Sequence, residues 1–140
     1  PLCARNTGIY SGFLVTVLAA TNEDKSDYDG LIAISLGKTN ILGWRAMDNF
    51  ATWFGKTPHE PTFQSAEFVP LITPLPLFVI QSSRDEFIPN EDAEYVFVQA
   101  KRPKRFHLIH ANNHSFAGKR NEFFAALQQG LHWIARQGLP

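Results

Sequence analysis

Cysteine and methionine are almost absent from this 140-residue chain, which has one of each. The single cysteine, Cys3, cannot form a disulfide within the chain, and no cysteine and histidine group has zinc-site spacing. These absences argue against a disulfide scaffold and against a structural metal. No nucleotide-binding motif is visible either, so no cofactor is expected.

An excess of charge is also missing, because Lys plus Arg and Asp plus Glu number 13 each. A balanced charge gives no field that would attract nucleic acid or an anionic membrane, which favours a small neutral partner. No apolar run approaches the length of a membrane span, and no basic, cleavable leader is visible. If the natural amino terminus is missing from this sequence, a leader could be missing with it.

Apolar residues are plentiful, at 44% of the chain with 12 Phe and 3 Trp, and they suffice for the core of one domain. Three short apolar runs, residues 30–35, 77–81 and 105–110, each lead into a polar loop and then a helical segment. This pattern predicts adjacent parallel strands. The expected fold is therefore α/β, with a parallel central sheet flanked by helices.

Two of these strands lead into loops that carry an acid and a base. Asp85 follows the second strand, and His114 follows the third, 29 residues later. One crossover helix, predicted over residues 91–100, fits between them and returns the chain to the same edge of the sheet. The sequence therefore predicts a hydrogen bond between Asp85 and His114, the arrangement that orients a catalytic imidazole.

Neighbouring residues compete for both roles. Glu86 is the alternative acid, but Phe87 and Ile88 are expected to turn inward, which would leave Glu86 outward. His107 and His110 fall within the strand or at its end, whereas His114 lies in a loop that can present its ring to a neighbouring strand. An ordinary ion pair closing two loops would give a similar sequence signal without turnover.

The acid loop SSRDEFIP, the histidine loop HANNHSF and the upstream stretch TGIYSGF together resemble the α/β-hydrolase family. More loosely, they are similar to bacterial serine-esterase-like or virulence-associated hydrolases. The resemblance covers most of the chain. It implies a nucleophile at the upstream stretch, with His114 as general base and Asp85 as its orienter.

The upstream stretch departs from the family pattern G-x-S-x-G. Aligning both glycines places Tyr10 at the nucleophile position, whereas Ser11 has the better chemistry, because a phenol is a poor acyl-transfer nucleophile. The alternatives are Ser11 in a shifted turn, or a site that has lost its ordinary serine. In the first case the amide of Gly12 would be an oxyanion donor.

The resemblance also implies that residues 1–140 form a single domain that is the carboxyl-terminal half of a hydrolase, or a trimmed relative of one. Residues 1–7 would be the remnant of a strand, and residues 41–76 an irregular insert with an amphipathic helix over 44–54. An exposed sheet edge would then require a homodimer or a missing amino-terminal half.

Two functions follow from the resemblance. The first is a serine-hydrolase-like enzyme that cleaves a small-molecule ester or related acyl bond through Ser11, His114 and Asp85. The second is an inactive binding or interaction module with the same fold, in which Tyr10 fills the nucleophile position.

Overall fold

The computed structural model describes residues 9–11, 19–41, 47–48, 54, 56–59 and 61–137. These residues form a four-stranded parallel sheet and a small two-stranded antiparallel one. The strands are β1 (Ile9–Ser11), β2 (Leu31–Ile34), β3 (Thr39–Asn40), β4 (Phe63–Gln64), β5 (Leu77–Ser82) and β6 (Lys104–Ile109).

The parallel sheet has the order β1-β2-β5-β6, which confirms the three predicted adjacent strands. Leu31 pairs with Leu77, and Leu77 pairs with Lys104, so the three strands start level with one another. Every residue of β5 is buried, as expected for a central strand covered on both faces. The loops after β2, β5 and β6 therefore open at one edge of the sheet.

Alternate residues of the central strands enter two separate cores. Leu31, Leu77 and Val79 face the crossover helix (Asn90–Gln99), which contributes Val96 to that core. The opposite core contains the buried residues Ile32, Phe78, Ile80, Ile109, Ala111, Phe116, Ala126, Trp133 and Ile134. The final helix (Arg120–Gln137) covers this second face. The result is a sheet between two helical layers, as predicted.

Gly130 lets the final helix approach the sheet closely. A Cβ at this position would lie 2.9 Å from Cδ1 of Phe78 and 3.1 Å from Cδ1 of Ile32. Both of these side chains are fully buried and form part of the second core. The helix therefore packs at a distance that only a residue without a side chain allows.

The segment predicted as an irregular insert is partly regular. β4 pairs antiparallel with β3 and leads into a short helix (Ser65–Phe68) and a 3-10 turn (Val69–Ile72). Val69 and Ile72 are buried in the core beside the crossover helix. Burial of these two apolar side chains gives the second half of the segment its regular structure.

Parts of the prediction lie outside the described residues. They are the strand remnant at 1–7, Gly8, Gly12, and the larger parts of the helices expected after Gly12 and over 44–54. Residues 19–21 and 47–48 are helical, in agreement with those two helices.

Candidate active site at the edge of the sheet

Asp85 lies in the loop after β5, with its side chain fully buried. Its Oδ1 accepts hydrogen bonds from the amides of Phe87, at 3.0 Å, and Ile88, at 2.9 Å. Aspartate favours such local turns because its carboxylate reaches the backbone two or three residues ahead. Gln81 donates from Nε2 to the carbonyl of Ile88 at 2.9 Å, which ties the loop back to β5. Hydrogen bonds within the loop and between the loop and β5 thus fix the position of Asp85.

The loop after β6 is folded around Phe116 and Asn113. Phe116 has a φ of 55°, and its side chain is buried in the core beneath the final helix. Asn113 accepts a hydrogen bond from the amide of Ala117 at its Oδ1, at 2.9 Å, and its carbonyl accepts one from the amide of Phe116, at 3.1 Å. These contacts fix the segment in which His114 lies.

His114 and Asp85 meet at the carboxyl edge of the sheet. The distance from Nδ1 of His114 to Oδ2 of Asp85 is 2.7 Å, which confirms the predicted contact. The imidazole is 40% exposed, whereas the carboxylate is fully buried. An ionised carboxylate can only accept hydrogen bonds, so Nδ1 carries a proton and Nε2 is the acceptor nitrogen of the neutral ring.

The pKa values of the two groups move apart. Burial raises the pKa of Asp85, but hydrogen bonds from His114 and from the amides of Ile88 and Phe87 together outweigh it, so the pKa lies below its ordinary value. The hydrogen bond to Asp85 raises the pKa of His114 against the opposing effect of burial, helped by the charges of Asp85 and Glu86. The pair therefore favours an ionised carboxylate beside a basic imidazole.

Glu86 is exposed, in agreement with the choice of Asp85 as the acid, and its Oε2 accepts a hydrogen bond from the amide of His114 at 2.7 Å. The expectation that Phe87 turns inward is wrong, because its side chain is 48% exposed. Its ring packs edge-on against the imidazole of His114, with ring centroids 5.5 Å apart. This edge-on contact with the partly exposed imidazole places Phe87 at the surface beside His114.

Ser35 is a site residue that the sequence analysis missed. It follows β2 directly, is 3% exposed, and donates from Oγ to Oδ2 of Asp85 at 2.9 Å. Its position after an apolar strand, at the same edge of the sheet as Asp85 and His114, was the available signal.

Tyr10 and Ser11 are part of β1, which changes the expected turn. Tyr10 pairs with Ala33 and Ser11 with Ile34, so the strand continues to Ser11. The expected strand-to-helix turn can therefore begin only after Ser11, since hydrogen bonding to β2 holds the preceding residues extended. Because β1 is parallel to β2 and β5, Ser11 lies toward the same edge as the Asp85–His114 pair. Gly12 lies outside the described residues.

A second histidine and aspartate contact occurs in the segment between β3 and β4. Oδ1 of Asp48 lies 2.9 Å from the backbone nitrogen of His59 and 3.0 Å from its Nδ1. The carboxylate thus contacts both the main chain and the ring of one residue, as in a structural loop closure. The imidazole is 82% exposed, in agreement with its predicted surface position.

Within the described parts of the chain, no cluster of three or more histidine, cysteine, aspartate or glutamate residues could hold a metal ion. The described helices include none that is both long and apolar enough to cross a membrane.

The chain matches no protein-family model and no curated protein sequence. Its structure is similar to an esterase domain from Rhodothermus marinus, with a TM-score of 0.61 and 17% identity over 89% of this chain and 56% of that one. It is also similar to the α/β-hydrolase GrgF from Penicillium sp. sh18, with a TM-score of 0.59 and 14% identity over 89% of this chain and 60% of that one. For Est1E from Butyrivibrio proteoclasticus the TM-score is 0.57, with 14% identity over 90% of this chain and 57% of that one. The chain thus shares its fold with these α/β-hydrolase structures and spans little more than half the length of the solved chains.

Proposed function

We propose that this chain carries the acid and base of a serine-hydrolase-like enzyme that cleaves an ester or related acyl bond. The observation that carries the proposal is the 2.7 Å contact between Nδ1 of His114 and Oδ2 of a buried Asp85. Likeness in fold to an esterase domain gives separate support. The substrate proposed is a small molecule with an acyl group, and the chemistry requires no cofactor.

In the proposed reaction, Nε2 of His114 takes the hydroxyl proton of the nucleophile as its oxygen attacks the ester carbonyl. Asp85 keeps the proton on Nδ1 and stabilises the imidazolium that forms. The imidazolium then returns the proton to the leaving alcohol, which leaves an acyl-enzyme. Water activated by the same nitrogen hydrolyses this ester and releases the acid.

Ser11 is the proposed nucleophile, and the amide of Gly12 the proposed oxyanion donor. Both residues pair with β2, but Ser11 is the last residue of β1 and lies one residue nearer the following loop than Tyr10, which supports Ser11 as the nucleophile. Ser35 is a poorer candidate, since it is buried and its hydroxyl donates to the carboxylate of Asp85.

A fluorophosphonate probe tests the proposal, because it reacts covalently with activated serines. We expect one labelled site, mapped by mass spectrometry to Ser11 and lost in Ser11→Ala and in His114→Ala. Ser115→Ala is the matched control, since it removes an exposed hydroxyl beside His114. A folded protein that takes no label would support the alternative, an inactive binding module with Tyr10 in the nucleophile position.

A further inference from the structure

Ser35 contacts the same carboxylate oxygen as the catalytic imidazole. Its Oγ lies 2.9 Å from Oδ2 of Asp85, and Nδ1 of His114 lies 2.7 Å from that oxygen. The main chain of Ser35 is also fixed, because its amide donates to the carbonyl of Ile80 on β5 at 3.0 Å. Ser35 is therefore held to β5 by its amide and to the loop after β5 by its hydroxyl.

The backbone at Ser35 adopts an unfavourable conformation. Its φ of 56° lies in the left-handed region, which residues with a Cβ seldom enter. Such conformations persist where the surrounding structure enforces them, and they are common at functional sites. Here the conformation accompanies a buried hydroxyl that is aimed at Asp85.

The carboxylate of Asp85 has a hydrogen bond for each of its four acceptor positions. The amides of Phe87 and Ile88 donate to Oδ1, while Ser35 and His114 donate to Oδ2. An ionised carboxylate offers about four lone-pair sites, so this set fills them. Rotation of the carboxylate would break several of these bonds at once.

We infer that Ser35 is a positioning residue, which acts on His114 through Asp85 by holding Oδ2 in place and sharing its negative charge. The catalytic part of this inference rests on the proposed hydrolase function. Because Oδ2 is shared, the imidazole receives less than the full attraction of the carboxylate. Ser35 thus keeps His114 aligned and limits its basicity.

The first test is a nuclear magnetic resonance titration of the His114 ring, assigned by comparison with His114→Asn. Within the described residues, Asp85 and Glu86 of the acid loop are the charged groups whose interaction with His114 raises its pKa. Ser35→Ala should raise the pKa of His114 further, because Oδ2 of Asp85 then accepts a hydrogen bond from the imidazole and none from Ser35. Ser35→Gly should do the same while it relieves the strain at φ 56°.

Ser82→Ala is the matched control, because it removes a buried hydroxyl from β5 that has no hydrogen-bond partner in the described structure. It should leave the titration unchanged. If the pKa of His114 in both Ser35 variants equals that of the wild type, the inference is overturned. Fluorophosphonate labelling at Ser35 would also overturn it.

Activity provides the second readout. Ser35→Ala should lower kcat by about tenfold to a hundredfold through misalignment of the base. The acidic limb of its kcat/KM profile should move to higher pH, which a purely structural defect would not cause. If the wild-type protein shows no turnover but the titration still shifts in the Ser35 variants, the proposed hydrolase function fails and the positioning of His114 by Ser35 stands. Unchanged kcat and an unchanged pH profile in Ser35→Ala would contradict the inference.

Discussion

At the scale of single residues, the proposed chemistry depends on the proton at Nδ1 of His114. Asp85→Asn places an amide where the carboxylate was, and an amide can hold the ring in the wrong tautomer. We expect kcat to fall by about 10³-fold to 10⁴-fold. Steady-state hydrolysis of a short-chain nitrophenyl ester measures this effect.

Glu86→Gln is the control for that substitution, because it removes the adjacent charge while its Oε1 can still accept from the amide of His114. It should keep most of the activity. Equal losses in Asp85→Asn and Glu86→Gln would show that general electrostatics, rather than tautomer control, underlies the effect.

The same pair should make stability depend on pH in a defined window. The raised pKa of His114 stabilises the folded state fully below the unfolded value, ~6.5, and this contribution is lost as pH rises through the folded value. The lowered pKa of Asp85 contributes above its unfolded value, ~3.9, and that contribution is lost as pH falls through the folded value. Both contributions to the stability of the folded state are present between about pH 4 and pH 6.5.

Urea unfolding of the wild type and His114→Gln measures this dependence. The difference in unfolding free energy should be larger near pH 5 than near pH 8. Solvent screening of the partly exposed imidazole reduces the size of the effect but not its sign. An equal difference at both pH values would contradict the pairing.

The residues of this site differ in how visible their roles are in the sequence. Asp85 and His114 could be predicted because each follows an apolar strand and a parallel crossover brings the two loops together. Ser35 could not be assigned its role in the same way, since its contact depends on a left-handed φ and on the packing of β2 beside β5. The surface position of Phe87 likewise depends on a ring contact that no local pattern encodes.

At the scale of secondary-structure elements, the distance between the final helix and the sheet depends on Gly130. Gly130→Val would push a branched side chain into Phe78 and Ile32, which are already close-packed. Overpacking of this kind costs about 1–3 kcal/mol. This exceeds the few tenths of a kcal/mol, roughly, that valine gains over glycine in helix propensity.

Chemical denaturation checks this prediction against Gln129→Val, an exposed position one residue earlier in the same helix. That control should change the unfolding free energy by less than about 0.5 kcal/mol. Equal stability of the two variants would show that the helix can shift away from the sheet without cost.

The elements themselves were largely predictable, since strands and helices follow from apolar runs and their period. Both ends of each central strand, β2, β5 and β6, lie within one residue of the predicted limits. β4 and the short helix after it were not predicted, because β4 depends on pairing with β3, and the turn after the helix on burial of Val69 and Ile72, rather than on a local pattern. The turn expected around Tyr10 was misplaced because pairing with β2 keeps that residue extended.

At the scale of the whole molecule, the two outer strands of the described sheet differ. β6 carries the exposed Arg105, a charge that discourages further pairing at its edge. β1 has three residues and pairs with β2 on one side among the described residues. Parallel strands are usually buried within a sheet, so we predict that another strand adds to β1, from further chain or from a second copy.

Sedimentation velocity of the 140-residue chain tests this prediction. We expect dimers or larger species, because the edge of β1 would pair between copies. A well-folded monomer at high concentration would contradict it and indicate a self-sufficient trimmed fold.

The central claim is that His114, oriented by Asp85, is the base of an ester-cleaving site. Its most direct test is the rate of ester hydrolysis by His114→Ala, with His110→Ala as control because His110 is an exposed histidine at the start of the same loop. Circular dichroism should show that both variants are folded. The proposed mechanism predicts that the rate of His114→Ala falls by several orders of magnitude while His110→Ala keeps its activity. Undiminished hydrolysis by His114→Ala would contradict it.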